Sequence, residues 1–179
     1  MAEEKKEKWL TYMAITTVLI AVVATLSTFK GGGYSTKSLL NQTKASDQWA
    51  FFQSKSIKCY IYEMRAENLE IQVELLDKQK GKEAIIEKYN KKIEDYKQKV
   101  IKYEEDKDAI KKEANSYESM RNECKLHSDK FGIAVIFLQI SILLSSIATL
   151  SKKKFVWICS IVLGAVGIVY FINGFFLFI

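Results

Sequence analysis

The chain has 179 residues with a formal net charge of +6, and it is 49% hydrophobic and 27% charged. These averages hide a division into apolar ends and a densely charged middle, which excludes an ordinary soluble domain with one mixed surface. The charge does not argue for nucleic acid either, because acids and bases interleave through residues 77–113 instead of gathering the cations on one face.

Residues 1–8 form a polar tail containing Lys5, Lys6 and Lys8, followed by Trp9, a residue favoured at membrane interfaces. Residues 9–29 carry no internal charge and are long enough to cross a hydrocarbon core, which takes about 20 helical residues. The segment exceeds the roughly 7–15 apolar residues of a cleaved leader, so we read it as an uncleaved anchor. Residues 30–35, with Gly31, Gly32 and Gly33, predict a hinge that ends the first span, and Ser35 or Thr36 then caps a new helix. The glycines lack the spacing of a phosphate loop.

Residues 36–130 predict a long helical hairpin. Its first arm reaches the run Ala45, Ser46, Asp47, Gln48, Trp49, Ala50, Phe51, Phe52, Gln53, Ser54, Lys55, Ser56, Ile57 and Lys58. That run resembles the signature of the DUF4337 family, bacterial membrane proteins of unassigned function, and the order of elements along most of the chain is similar too. The resemblance implies membrane location and an all-helical build, and it brings no catalytic residues. From the residues themselves, Trp49 and Phe52 share one helix face and predict a packing anchor, whereas Asp47 and Lys55 read as solvated.

Further along, Ile57, Ile61, Met64, Asn68, Ile71 and Leu75 recur at four-three spacing, and Tyr62, Ala66, Leu69, Val73 and Leu76 do so on another face. One face meets the return arm and the other is left for a neighbouring subunit. Asn68 in a seam predicts control of register or oligomer state. The seams stop around Gly81, the predicted reversal.

The return arm carries a sustained heptad pattern from Ile86 to Cys124, interrupted only by Lys107 and Arg121. Tyr89, Tyr96, Tyr103 and Tyr117 fall on it and read as seam packing with phenol tips at the edge. His127 is the only histidine, and Cys59, Cys124 and Cys159 form no metal-spaced set. No metal or other cofactor and no catalytic residue is expected. An intrachain disulfide between Cys59 and Cys124 is disfavoured.

Residues 131–150 and 155–179 predict two further spans joined by the Lys-rich turn 151–154, and the absence of proline suits uninterrupted helices. Gln139 and Asn173 lie inside these spans, where uncharged polar groups hydrogen-bond between helices. Short Lys-rich segments favour the cytoplasm, placing the N-terminus there and the hairpin in the periplasm of a bacterial inner membrane.

The expected fold is therefore an all-α membrane protein with three transmembrane helices and a long extramembrane antiparallel coiled-coil hairpin. The expected function is non-enzymatic: a structural or interaction protein that contacts membrane lipid, self-associates as a homo-oligomer through its hairpin and meets envelope or membrane protein partners. The competing expectation is a channel, transporter or gating component whose pore the assembled spans form.

Overall fold

The computed structural model describes the backbone of residues 2–178 and the side chains of residues 9–178, so the lysines of the expected polar tail 1–8 lie outside the described side chains. Three helices make up the fold: α1 (Ala2–Asp77), α2 (Glu83–Ser151) and α3 (Lys154–Phe176). Among the described residues there is no strand. Each helix contains a window long and apolar enough to cross a membrane. The helices form two compact units, one of Met1–Leu40 with Met120–Ile179 and one of Asn41–Ser119. Residues 36–40 and 120–130, read from sequence as hairpin, therefore belong to the first unit.

The predicted reversal at Gly81 is observed. Its φ of +86° lies in the left-handed region that glycine enters without a Cβ penalty. The Lys82 carbonyl then accepts the first bonds of α2, from the amides of Ile85 at 3.0 Å and Ile86 at 3.1 Å.

The predicted hinge at residues 30–35 is not observed, because α1 runs unbroken through the three glycines. The first of the three is held against α2, while Gly32 and Gly33 face open space. Gly31 is buried, and a Cβ there would lie 3.0 Å from the Cβ of Phe131. Its bare backbone lets α2 approach closely enough for two hydroxyls to bond across the pair. Ser27 Oγ donates to the Phe131 carbonyl at 3.0 Å, and Ser128 Oγ donates to the Gly31 carbonyl at 3.1 Å. Thr36 starts no new helix; its hydroxyl donates back to the Gly32 carbonyl within the same helix.

In the three-helix unit the interior is small or hydroxylated and the exterior is branched and apolar. Ser27, Ser141, Ser145, Ser160 and Asn173 are fully buried, while Val18, Leu19, Phe29, Ile136, Leu143, Val162 and Phe155 are exposed. The serines make α2 and α3 interlock: Ser141 Oγ donates to the Ser160 carbonyl at 2.7 Å, and Ser160 Oγ returns a bond to the Ser141 carbonyl at 2.8 Å. Thr17 and Ser145 join their hydroxyls between α1 and α2. Gly164, Gly167 and Gly174 sit where any Cβ would collide, with Ile20 and Ser141, with Leu138 and with the Phe131 ring respectively. At one end Phe131 is enclosed by Tyr34, Phe171 and Phe175; at the other Trp9 packs against Trp157 with centroids 6.2 Å apart.

In the Asn41–Ser119 unit the two arms pair through the seams read from sequence. Each position from Ile86 to Ser119 assigned to the return-arm seam is buried or half-buried, including the interrupting Lys107. On α1 the covered row is Ala45, Phe52, Cys59, Ala66 and Val73, with Tyr62, Leu69 and Leu76 beside it. Both rows repeat at seven residues, the period that keeps a seam facing its partner helix.

Candidate functional site

The outer faces of the two arms differ sharply in chemistry. On α2 the residues opposite the seam are Lys88, Lys91, Asp95, Gln98, Lys102, Glu105, Ala109, Lys112 and Ser116, a mostly charged or polar face with the exposed Ile101 at its edge. On α1 the equivalent face carries Ile57, Ile61, Met64, Ile71 and Leu75, which are 59%, 37%, 55%, 57% and 59% exposed. Asn68 lies in the same row, and its Nδ2 donates to the Met64 carbonyl at 2.9 Å. The sequence offered two apolar faces on this arm without saying which the return arm would cover, and it is this one that the return arm leaves uncovered. An exposed apolar row opposite a completed seam, interrupted by Asn68, is a candidate interaction surface.

Trp49 and Phe52 face the return arm, half-buried, as a T-shaped pair with centroids 5.5 Å apart. Trp49 Nε1 donates to Glu118 Oε1 at 2.8 Å, which ties the indole to α2. Lys55 departs from expectation. It is not a solvated cation but sits half-buried in the seam, its ammonium 2.6 Å from Asp106 and over the rings of Phe51 and Tyr103. That ammonium donates to the Asp106 carboxylate and holds it below the usual carboxylate range.

One turn on, Cys59 Sγ donates to Glu104 Oε1 at 3.2 Å. Burial, that hydrogen bond and the Glu63 and Glu104 charges push the thiol up to about 12. Lys107 donates to the same Glu104 oxygen at 2.7 Å and draws the Glu104 carboxyl down. Cys59, Glu63 and Glu104 bring their ligand atoms within 4.8 Å of one another. Chemically the group is a protonated thiol serving a carboxylate whose charge Lys107 already balances.

The tyrosine row is seam packing. Tyr62 of α1 lies 5.5 Å from Tyr96 and 5.8 Å from Tyr103, while Tyr89 and Tyr117 are half-buried further along α2. Lys99 covers the rings of Tyr62 and Tyr96. Lys97 closes the arm edge through Glu70 at 2.7 Å.

This order of elements, an apolar span, the Trp49 patch, a charged helical pair and two apolar helices, extends over residues 9–177, the stretch matched by DUF4337, a domain of unknown function. The chain belongs to the DUF4337 family. Neither a curated protein nor a solved structure matches it.

The two polar residues that the sequence set inside apolar segments have opposite placements in this DUF4337 chain. Asn173 is fully buried and closes α3: its backbone carbonyl accepts from Leu177 N at 2.8 Å and its Oδ1 from Phe178 N at 2.7 Å. Gln139 is exposed on the outer face of α2, and its side chain makes no hydrogen bond among the described residues. His127, the single histidine, stacks on Tyr34 with centroids 4.6 Å apart. Its Nδ1 lies 2.8 Å from the Gly174 carbonyl, so a protonated Nδ1 donates there and satisfies one of the open carbonyls at the end of α3. No local signal foretold that contact, since it joins residues 47 apart.

Proposed function

We propose that this DUF4337 protein is a non-enzymatic structural or interaction protein of the bacterial inner membrane. Its three-helix unit acts as the anchor, and its helical pair self-associates and meets envelope or membrane partners. The observation that carries the reading is the exposed apolar row on α1, set against the polar outer face of α2. The anchor reading draws on the reversed polarity of the three-helix unit. Lipid solvates branched apolar side chains at no cost, whereas buried hydroxyls and glycines give close helix contact and hydrogen bonds, the pattern of packed membrane helices. Trp9, Trp157 and the lysines of the 151–154 turn suit one interface, with Lys154 lying over the Trp9 ring. That turn and the Lys-bearing tail favour the cytoplasm, which leaves residues 41–119 in the periplasm.

Native mass measurement in detergent, with crosslinking in membranes at Cys124, tests self-association. We expect a defined multimer; a monomer by both methods would sink the proposal. The competing reading, a gating or transport component, draws on Gln139, whose amide faces away from its own bundle and would line a passage only between chains. It predicts altered conductance in Gln139→Leu, and unchanged conductance removes its support.

A further inference from the structure

We infer that the outer face of α1 pairs with the same face of a second copy as a parallel two-stranded coiled coil whose register is set by Asn68. The inference rests on the self-association proposed above and adds partner, direction and register.

The face follows a strict seven-residue period. Ser54, Ile61, Asn68 and Leu75 occupy one row, and Ile57, Met64 and Ile71 occupy the row three residues after it. In heptad terms these are a and d, and a single asparagine at a is the residue that fixes register in two-stranded parallel coils, at some cost in stability. Asn68 is equipped for that role. Its amide uses one donor on the Met64 carbonyl, leaving the other N–H and the carbonyl oxygen for the matching amide of the second chain.

The flanks decide direction. Beside the d row lie Lys58, Arg65 and Gln72; beside the a row lie Gln53, Tyr60, Glu67 and Glu74, the last with its parallel counterpart beyond the end of α1. In a parallel in-register pair each a-row flank meets the d-row flank five residues later on the other chain. Gln53 then meets Lys58, Tyr60 meets Arg65 and Glu67 meets Gln72. The second of these is a cation over an aromatic ring, and none opposes like charges. An antiparallel pair instead sets each flank against itself, with Lys58 and Arg65 facing their own kind on one side and Glu67 and Glu74 on the other. The second copy is favoured as occupant because the rows complement themselves, and two chains held in one membrane also raise the effective concentration for so short a seam.

The test uses the full chain in membranes, with Cys59→Ala, Cys124→Ser and Cys159→Ala removing the native thiols, and single cysteines placed at Ile61, Met64 or, as control, Lys102. Mild oxidation is expected to link like positions at Ile61→Cys and Met64→Cys about tenfold faster than at Lys102→Cys, since only close Cβ atoms form a disulfide. When Ile57→Cys and Leu75→Cys chains carrying different tags are mixed, self-pairs are expected and the mixed pair is not. A dominant mixed pair, or equal linking at Lys102→Cys, overturns the parallel seam. If the seam cysteines fail to link while native mass still shows a multimer, this geometry fails and self-association stands; a monomer removes both. In the otherwise native chain, Asn68→Val is expected to replace a single two-chain mass with a mixture including larger species, and an unchanged two-chain mass refutes the register role.

Discussion

Replacing Gly167 by alanine probes whether the three-helix unit is packed by backbone approach. The added Cβ would lie 2.7 Å from Leu138 Cγ, 2.9 Å from its Cδ2 and 3.1 Å from its backbone nitrogen. Leu138 is fully buried, and the clash reaches its branch point and main chain, so rotating a flexible tip does not relieve it. The helices must separate by about 1 Å or Leu138 must leave its rotamer, and overpacking of this kind costs about 1–3 kcal/mol. Alanine returns up to about 1 kcal/mol of helix propensity, so the net expectation is a loss of up to about 2 kcal/mol. Gly32→Ala is the control. No heavy atom lies within 4 Å of the place its methyl would take, so it should be neutral or stabilising by about 0.5–1 kcal/mol. Reversible unfolding in mixed micelles, followed by Trp9 and Trp157 fluorescence in a Trp49→Phe background, measures both. Adding Leu138→Ala to Gly167→Ala should recover part of the loss. If Gly167→Ala unfolds no earlier than Gly32→Ala, the close approach of α2 and α3 is not what holds the unit together.

Cys59 should resist maleimide at neutral pH. A thiol moved from 9.0 to about 12 holds about 1,000-fold less thiolate, and mass spectrometry should find Cys124 labelled first, with the difference lost on unfolding; equal labelling in the folded chain contradicts the assignment. Because the raised thiol stays neutral in the fold while the unfolded thiol ionises, Cys59 withdraws stability as pH rises from about 9 towards 12, and Cys59→Ala should flatten that alkaline limb. Glu104 and Asp106 act in the opposite direction: their lowered carboxyls stabilise the helical pair above about pH 4, and that contribution is lost as pH falls through the ordinary carboxylate range. Asp106→Asn should weaken the acid dependence of thermal unfolding followed by circular dichroism, and an unchanged acid limb counts against the Lys55 pair. For the indole bond, a double-mutant cycle of Trp49→Phe and Glu118→Ala should show coupling of about 0.5–1.5 kcal/mol, whereas strict additivity means that the bond contributes nothing.

Much of the architecture is a matter of local periodicity, and it was legible for that reason. The seam from Ile86 onward, the second apolar row on α1 and the three apolar segments follow from spacing along a helix, which needs no knowledge of the partner. Gly81 was equally plain, since seams end on both sides of it and only glycine enters its conformation without strain. Local pattern failed where a residue's role depends on what lies across from it. Three adjacent glycines read as a hinge until Phe131 and Ser128 stand against Gly31, and Lys55 read as solvated until Asp106 meets it from the other arm. Gln139 and Asn173 looked alike in sequence, yet helix rotation turned one outward and buried the other at the end of α3. Sequence by itself determined the helical build, the reversal at Gly81 and the apolar rows, because these depend on neighbouring residues and on residues three and four apart. Tertiary structure alone decided which row is covered, which glycines are contact points and which polar groups are spent, because those depend on partners many residues away.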